Sequence, residues 1–188
     1  MPSLLLVLVT CLIGGCLVEG AAVVLEKQGR VRLSGECNSY EREKLNEGYR
    51  TCVYKDSKGI PTVGVGFNLE KFGAKQEIES VGADYSMVLN GSECLKDNQI
   101  EELFNKDMDS AVSCAEGFVS GIGDTAESAV ADMAFNLGCS QLHSFNTFRS
   151  LLQQKKFDAA AQDMQGTAWC GQVGSRCSRD VDCIKKGR

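Results

Sequence analysis

Residues 47–66, EGYRTCVYKDSKGIPTVGVG, place one carboxylate, Glu47, at a helix end, a second, Asp56, at a strand end, and a hydroxyl, Thr62, at the start of the next strand. Upstream, Ser39 to Leu45 is rich in Glu, Arg and Lys and predicts a short helix. Gly48 then stands as its C-terminal glycine. Cys52-Val53-Tyr54 and Thr62 to Phe67 predict strands, joined by the turn Asp56-Ser57-Lys58-Gly59. A helix end and a hairpin can face each other across a cleft. Two carboxyl groups so placed suit cleavage of a glycosidic bond. One protonates the leaving oxygen, and the other stabilises positive charge or activates water from the opposite side.

Beyond Phe72 the pattern turns helical. Asp97 or Asn98 can cap a helix carrying Ile100, Leu103, Phe104, Ala111 and Val112 on one side. Thr125 to Leu137 is the clearest helix, with Ala126, Ala129, Val130, Met133, Ala134 and Leu137 at helical spacing. Asp124 or Thr125 caps it and Gly138 ends it. Phe145, Phe148, Leu151 and Leu152 mark another, and Asp158 can cap a short one through Met164. Trp169 falls between this last helix and a cysteine-rich tail and reads as core packing. The expected fold class is α+β: a small β-hairpin or sheet region at about 50–70 beside a larger, mostly helical region at about 95–184.

The chain has 188 residues, enough for a substantial core. Leu4 to Val18 is apolar and uncharged, short for a membrane span, and fits a secretory signal with cleavage after Gly20. The run Ile13 to Cys16 also resembles a bacterial lipobox, but the cysteine count favours the other secretory route. Residues 1–20 are thus expected to be a signal peptide, 21–38 an N-terminal arm, and 39–188 the catalytic domain. Two of ten cysteines lie in the signal. The remaining eight, Cys37, Cys52, Cys94, Cys114, Cys139, Cys170, Cys177 and Cys183, are disulfide candidates whose pairing spacing does not decide. They contain no CxxC pair, which argues against zinc. The lone histidine, His143, argues against Ser-His-Asp, Cys-His and multi-histidine metal chemistry. Gly64 and Gly66 are not followed by a helix start, so they form no nucleotide loop. Net charge is −5, and loss of Glu19 with the signal makes it −4. No basic run invites nucleic acid. Lys155, Lys156, Arg176, Arg179, Lys185 and Lys186 are candidates for a local basic patch facing an anionic substrate. Asn90-Gly91-Ser92 is an N-glycosylation sequon.

Glu47-Gly48, Tyr54-Lys55-Asp56 and the Gly59, Thr62, Gly64, Gly66 spacing resemble the catalytic signature of phage-type lysozymes, glycoside hydrolase family 24. The resemblance runs on through Leu89 to Gly91, Glu102 to Asp107, Met133 to Gly138, Leu152 to Ala160 and Trp169 to Arg179, covering roughly residues 40 to 184. The many cysteines resemble the secreted phage-type enzymes of bivalve molluscs. The resemblance implies a lysozyme-like fold and hydrolysis of the β-1,4 bond between N-acetylmuramic acid and N-acetylglucosamine in peptidoglycan, by inversion. It implies Glu47 as general acid, Asp56 as the carboxylate that orients water, and Thr62 as the hydroxyl that helps hold it. Gly64, Gly66, Asn68, Phe135 and Asn136 fall at substrate-binding positions, although Phe135 reads equally as core. Arg176 falls where the family places an arginine beside the acid. No cofactor or metal is implied, and the mature protein is expected to be a secreted monomer off the membrane. Two departures stand out. The signature ends in a structural histidine in the family but in Phe67 here, which should touch stability more than chemistry. Phe148 replaces a small polar cleft residue, which would reshape a sugar subsite. A non-catalytic peptidoglycan binder and a lytic transglycosylase, which needs one acidic residue only, remain the competing readings.

Overall fold

The computed structural model describes residues 37, 38, 44 and 48–187, all within the unit Leu33–Arg188. Strand β1, Arg50–Lys55, pairs antiparallel with β2, Pro61–Gly64, and β2 with β3, Phe67–Asn68, in the order β1-β2-β3. Tyr54 lies opposite Thr62 and Lys55 opposite Pro61. The proline thus opens its strand, where a missing N–H costs least. The single strand expected over Thr62 to Phe67 is two strands. The chain reverses through Val65 and Gly66, and Val63 pairs back onto Phe67. Gly64 and Gly66 both take left-handed backbone, φ 66° and 71°, which makes a tight reversal inexpensive here. The alternation of small and β-branched residues masks that reversal in the sequence.

Nine helices follow among the described residues: α1 Ala74–Ser80, α2 Tyr85–Asn90, α3 Asp97–Phe118, α4 Asp124–Leu137, α5 Cys139–Leu142, α6 Asn146–Gln153, α7 Phe157–Gln165, α8 Ala168–Val173 and α9 Ser175–Lys185. The helix expected over Ser39 to Leu45 lies outside the described residues except for Lys44, which is helical, while Gly48 has the left-handed backbone of a helix-ending glycine. The expected caps sit one or two residues too late. Lys96, Gly123 and Lys156 flank the helices, while Asp97, Asp124 and Asp158 lie inside the first turns. There their charge complements the helix dipole instead of capping. The cysteine-rich tail is not a tail: Trp169 belongs to α8, and α9 follows. Buried Arg176 and Asp180 share the inner face of α9 with Cys177, Val181 and Ile184, so charge hides the helical period.

The apolar residues form two clusters. One joins the sheet to α1, α2 and the first half of α3, through Val63, Phe67, Ile78, Val88, Ile100 and Phe104. The larger gathers the second half of α3 with α4 to α9. Helix α3 passes through both, and Phe135 packs against each from its edge. The architecture is α+β, a three-stranded sheet against a helical body. Phe67, the departure from the family histidine, is 3% exposed inside the sheet-side cluster. Lys71 Nζ lies 4.1 Å from its ring centroid and pairs with Asp107 and, at 3.1 Å, with Glu77. A cation above an aromatic face thus links the sheet, α1 and α3. Burial pushes the Asp107 carboxyl above its usual range, opposed by Lys71.

Four disulfides pair all eight candidates: Cys37–Cys183, Cys52–Cys94, Cys114–Cys139 and Cys170–Cys177. They enclose 146, 42, 25 and 7 residues respectively. Chain entropy in the unfolded state scales with the logarithm of loop length. Losing Cys37–Cys183 should therefore destabilise by about 2–3 kcal/mol more than losing Cys170–Cys177. Urea denaturation of the two Cys→Ser double variants checks this; equal midpoint losses at equal m would contradict it.

Candidate active site

The turn after β1 is organised around the backbone of one residue, Ile60. Asp56 Oδ1 accepts from the backbone N–H groups of Lys58 and Ile60, both at 2.8 Å. The Ile60 carbonyl accepts from the Asp56 N–H at 3.0 Å and from Thr62 Oγ1 at 3.0 Å. Gly59, at φ 81°, provides the left-handed step that lets the chain double back. Asp56 and Thr62 are therefore fixed to the two ends of a single residue. Asp56 is part-exposed, and its Oδ2 takes no hydrogen bond among the described residues. Thr62 is 3% exposed and gives its proton to Ile60, which leaves its oxygen lone pairs to accept. The pair thus offers an acceptor-only carboxylate edge and a hydroxyl oxygen from the two sides of one residue.

Glu47 lies outside the described residues, but Lys44 and Tyr49, which flank it in sequence, do not. Both engage one face of α3. Lys44 Nζ reaches Glu101 at 3.5 Å and lies 5.6 Å from the Phe104 ring centroid. Tyr49 donates its hydroxyl to Asp97 Oδ1 at 2.5 Å. Asp97, Glu101 and Phe104 fall at helical spacing along that face. The same half of α3 supports the hairpin: a Cβ on Gly64 would stand 3.0 Å from Ile100 Cγ2. The space left by this glycine is thus taken up by the helix. Tyr49 escaped the sequence reading and Asp97 entered it only as a helix cap, because an exposed tyrosine and a first-turn aspartate do not signal their contact until the helix and the loop are placed together. Local desolvation, then the hydrogen bond to Asp97 and the charges of Asp97 and Glu101, push the Tyr49 phenol up to about 12. With 49% of the residue exposed, the two carboxylates are the durable part of that effect.

The remaining candidates separate into three settings. Asn68 pairs with Thr62 across β2 and β3, and its Oδ1 accepts from Glu70 N at 2.7 Å. Gly66 is part-exposed in the reversal beside it. Phe135 and Asn136 lie near the end of α4. The Phe135 ring meets Phe104 edge-on at 6.0 Å, and exposed Asn136 accepts through Oδ1 from Trp169 Nε1 at 2.8 Å. Trp169 is 4% exposed, as core packing requires. Arg176 is buried on α9 and donates from Nε to Asp132 Oδ1 of α4 at 2.7 Å. It therefore cannot belong to an exposed basic patch, because its charge is held inside the helical body. Phe148 is also corrected. It has no exposed surface and stacks with Phe118 at 6.2 Å, so it fills the core and lines no subsite. His143 and the sulfurs of Cys114 and Cys139 bring three potential ligand atoms within 4.8 Å of one another, but those sulfurs are bonded together.

A family model described as phage lysozyme matches residues 44–179. Among curated proteins, the chain is similar to probable T4-type lysozyme 1 of Dictyostelium discoideum, 24% identical over 155 residues, covering 77% of this chain and 91% of that protein. It is similar to probable T4-type lysozyme 2 of the same organism at 25% identity over 155 residues, with the same coverage.

The Tyr49 bond makes a prediction about alkaline stability. The folded phenol keeps its proton to about 12, while the unfolded one loses it near 10. Its contribution is therefore whole below pH 10 and is lost as pH rises toward 12. Tyr49→Phe should be less stable than the parent at pH 8 and converge with it as pH climbs. Urea midpoints measured across that range decide the matter; a constant gap would refute it.

Proposed function

The chain belongs to the phage lysozyme family, and from that premise we propose that it is a secreted N-acetylmuramidase acting on bacterial peptidoglycan with inversion at the anomeric carbon. Lysozyme-type glycoside hydrolysis follows from the family. The finer reading rests on one observation, the Ile60 backbone, whose N–H holds the Asp56 carboxylate and whose carbonyl holds the Thr62 hydroxyl. In this reading Glu47 protonates the bridging oxygen of the β-1,4 bond between N-acetylmuramic acid and N-acetylglucosamine. A water donates one proton toward Asp56 Oδ2 and the other toward Thr62 Oγ1, which presents its lone pair to the anomeric carbon. As the bond from that carbon to the leaving oxygen breaks, the water oxygen bonds from the opposite side and Asp56 takes its proton. Arg176 supports the acid, with Asp132 fixing its guanidinium through Nε. Gly66, Asn68, Phe135 and Asn136 border the sugar path in this reading, whereas Gly64, expected there too, is buried against Ile100.

Residues 1–20 act as the leader, 21–38 as an arm, and the released enzyme works as a monomer in host defence or digestion. Four disulfides suit an oxidising compartment. Among the described residues, no helix is long and apolar enough to cross a membrane. Bacterial walls are anionic, so the released enzyme, of net charge −4 once Glu19 leaves with the leader, should work best where salt screens the repulsion.

Clearing of a cell-wall suspension tests the activity. Glu47→Gln should abolish it with the fold intact. Asp56→Asn should lower kcat by roughly 10²–10⁴-fold, the range for a positioned acid–base group. Thr62→Val, which keeps the shape and removes the hydroxyl, should lower kcat with little change in KM. NMR of the first-formed product on a soluble glycan should show the α-anomer. A β-anomer would refute inversion, and an anhydro-sugar end would replace hydrolysis by transglycosylation.

A further inference from the structure

We infer that Asn90 carries an N-linked glycan; this rests on the secretory reading of the chain and not on its catalytic reading. Asn90-Gly91-Ser92 is the one Asn-x-Ser/Thr triplet in the sequence, and the structure sets it where a glycan can be carried. Asn90 is the last residue of α2, and Gly91 ends the helix with φ 81°. Asn90, Gly91 and Ser92 are all exposed. The Ser92 N–H donates to Asn90 Oδ1 at 2.9 Å, so the carboxamide is oriented by its oxygen. Its Nδ2, the atom that would carry the sugar, meets no acceptor among the described residues.

The surroundings point the same way. Tyr85 to Ser92 contains no charged residue. Met87, one turn before Asn90 on the same face of α2, is 44% exposed, one of few large apolar side chains left open among the described residues. A neutral, hydrated oligosaccharide at Asn90 would cover it. The opposite side of this corner is committed to the fold. A Cβ on Gly91 would touch Val53 Cγ1 of β1 at 3.6 Å, Leu95 N bonds to Thr51 O at 2.8 Å, and Cys94 is bridged to Cys52. The corner is therefore held rigid from within and open outward.

The chemistry is a group transfer. Asn90 Nδ2 attacks the anomeric carbon of an oligosaccharide carried on a lipid pyrophosphate. The bond from that carbon to the phosphate oxygen breaks, the lipid pyrophosphate leaves with the electron pair, and the amide gives up one proton. No oxidant or reductant takes part.

The test expresses the full chain in a eukaryotic secretory cell, once with residues 1–20 and once with a heterologous leader in their place. Secreted protein should be heavier than its polypeptide. Peptide-N-glycosidase should remove the excess and leave Asp at position 90. Asn90→Gln and Ser92→Ala should each be secreted at bare polypeptide mass with wall-clearing activity retained, and Ser92→Thr should raise occupancy. Secretion of the parent at bare polypeptide mass, or with Asn90 only deamidated, overturns the proposal. Glycosylation with the heterologous leader alone supports it while rejecting residues 1–20 as a leader, so the two readings fail separately.

Discussion

The backbone of Ile60 is the constraint on which the Asp56–Thr62 turn depends. Its N–H fixes a carboxylate oxygen, and its carbonyl takes both a backbone N–H and the hydroxyl of Thr62. A turn closed by its own backbone alone would leave those two side chains to find their own rotamers. Here the hydrogen bonds that close the turn are the ones that aim the side chains. That coupling explains the company Ile60 keeps: Gly59 supplies the left-handed step before it, and Pro61 begins the strand after it without needing a donor. A net hydrogen bond is worth about 1 kcal/mol in stability. Spread over several bonds to one residue, that is sufficient to hold a part-exposed carboxylate in one orientation.

Orientation within the hairpin is useful only if the hairpin is held against something stiff. Helix α3 provides this, and it does so for two segments at once. Ile100 occupies the space above Gly64, while Asp97, Glu101 and Phe104 receive Tyr49 and Lys44. The glycine pattern of the hairpin thus serves two masters. Gly66 serves the reversal, and Gly64 serves both the reversal and the close approach of a helix. The cation above Phe67, shared with Asp107 and Glu77, ties the far end of the same sheet to α1 and α3.

What the sequence made legible was what depends on local chemistry. The Asp56 turn, the strand on either side of it, the long apolar periodicity of α3 and α4, and the even cysteine set each follow from spacing over a few residues. The failures share a cause. Thr62 to Phe67 has strand composition throughout, and only the pairing of Val63 with Phe67 turns its glycines into a reversal. Helix α9 was hidden because Arg176 and Asp180 occupy its buried face. Phe148 looked like a cleft residue because alignment with a family gives position along the chain, not direction, and its ring points into Phe118. Tyr49 meeting Asp97 is a contact between parts of the chain far apart in sequence, which no local pattern encodes.

The Asp132–Arg176 pair carries this reasoning one step further. Taking two charges out of water costs several kcal/mol each, and their attraction often does no more than offset it. Apolar residues of similar shape would serve the helical body at least as well. Both helices also contribute to the larger apolar cluster, α4 through Ala126, Ala129 and Val130 and α9 through Val181 and Ile184. What a buried pair gives and an apolar contact cannot is a guanidinium at a fixed place and angle, in surroundings where its field is weakly screened. Such a cation next to a general acid would lower its pKa while cleft burial raised it. The pair is therefore better understood as fixing where a buried guanidinium stands than as a contribution to stability.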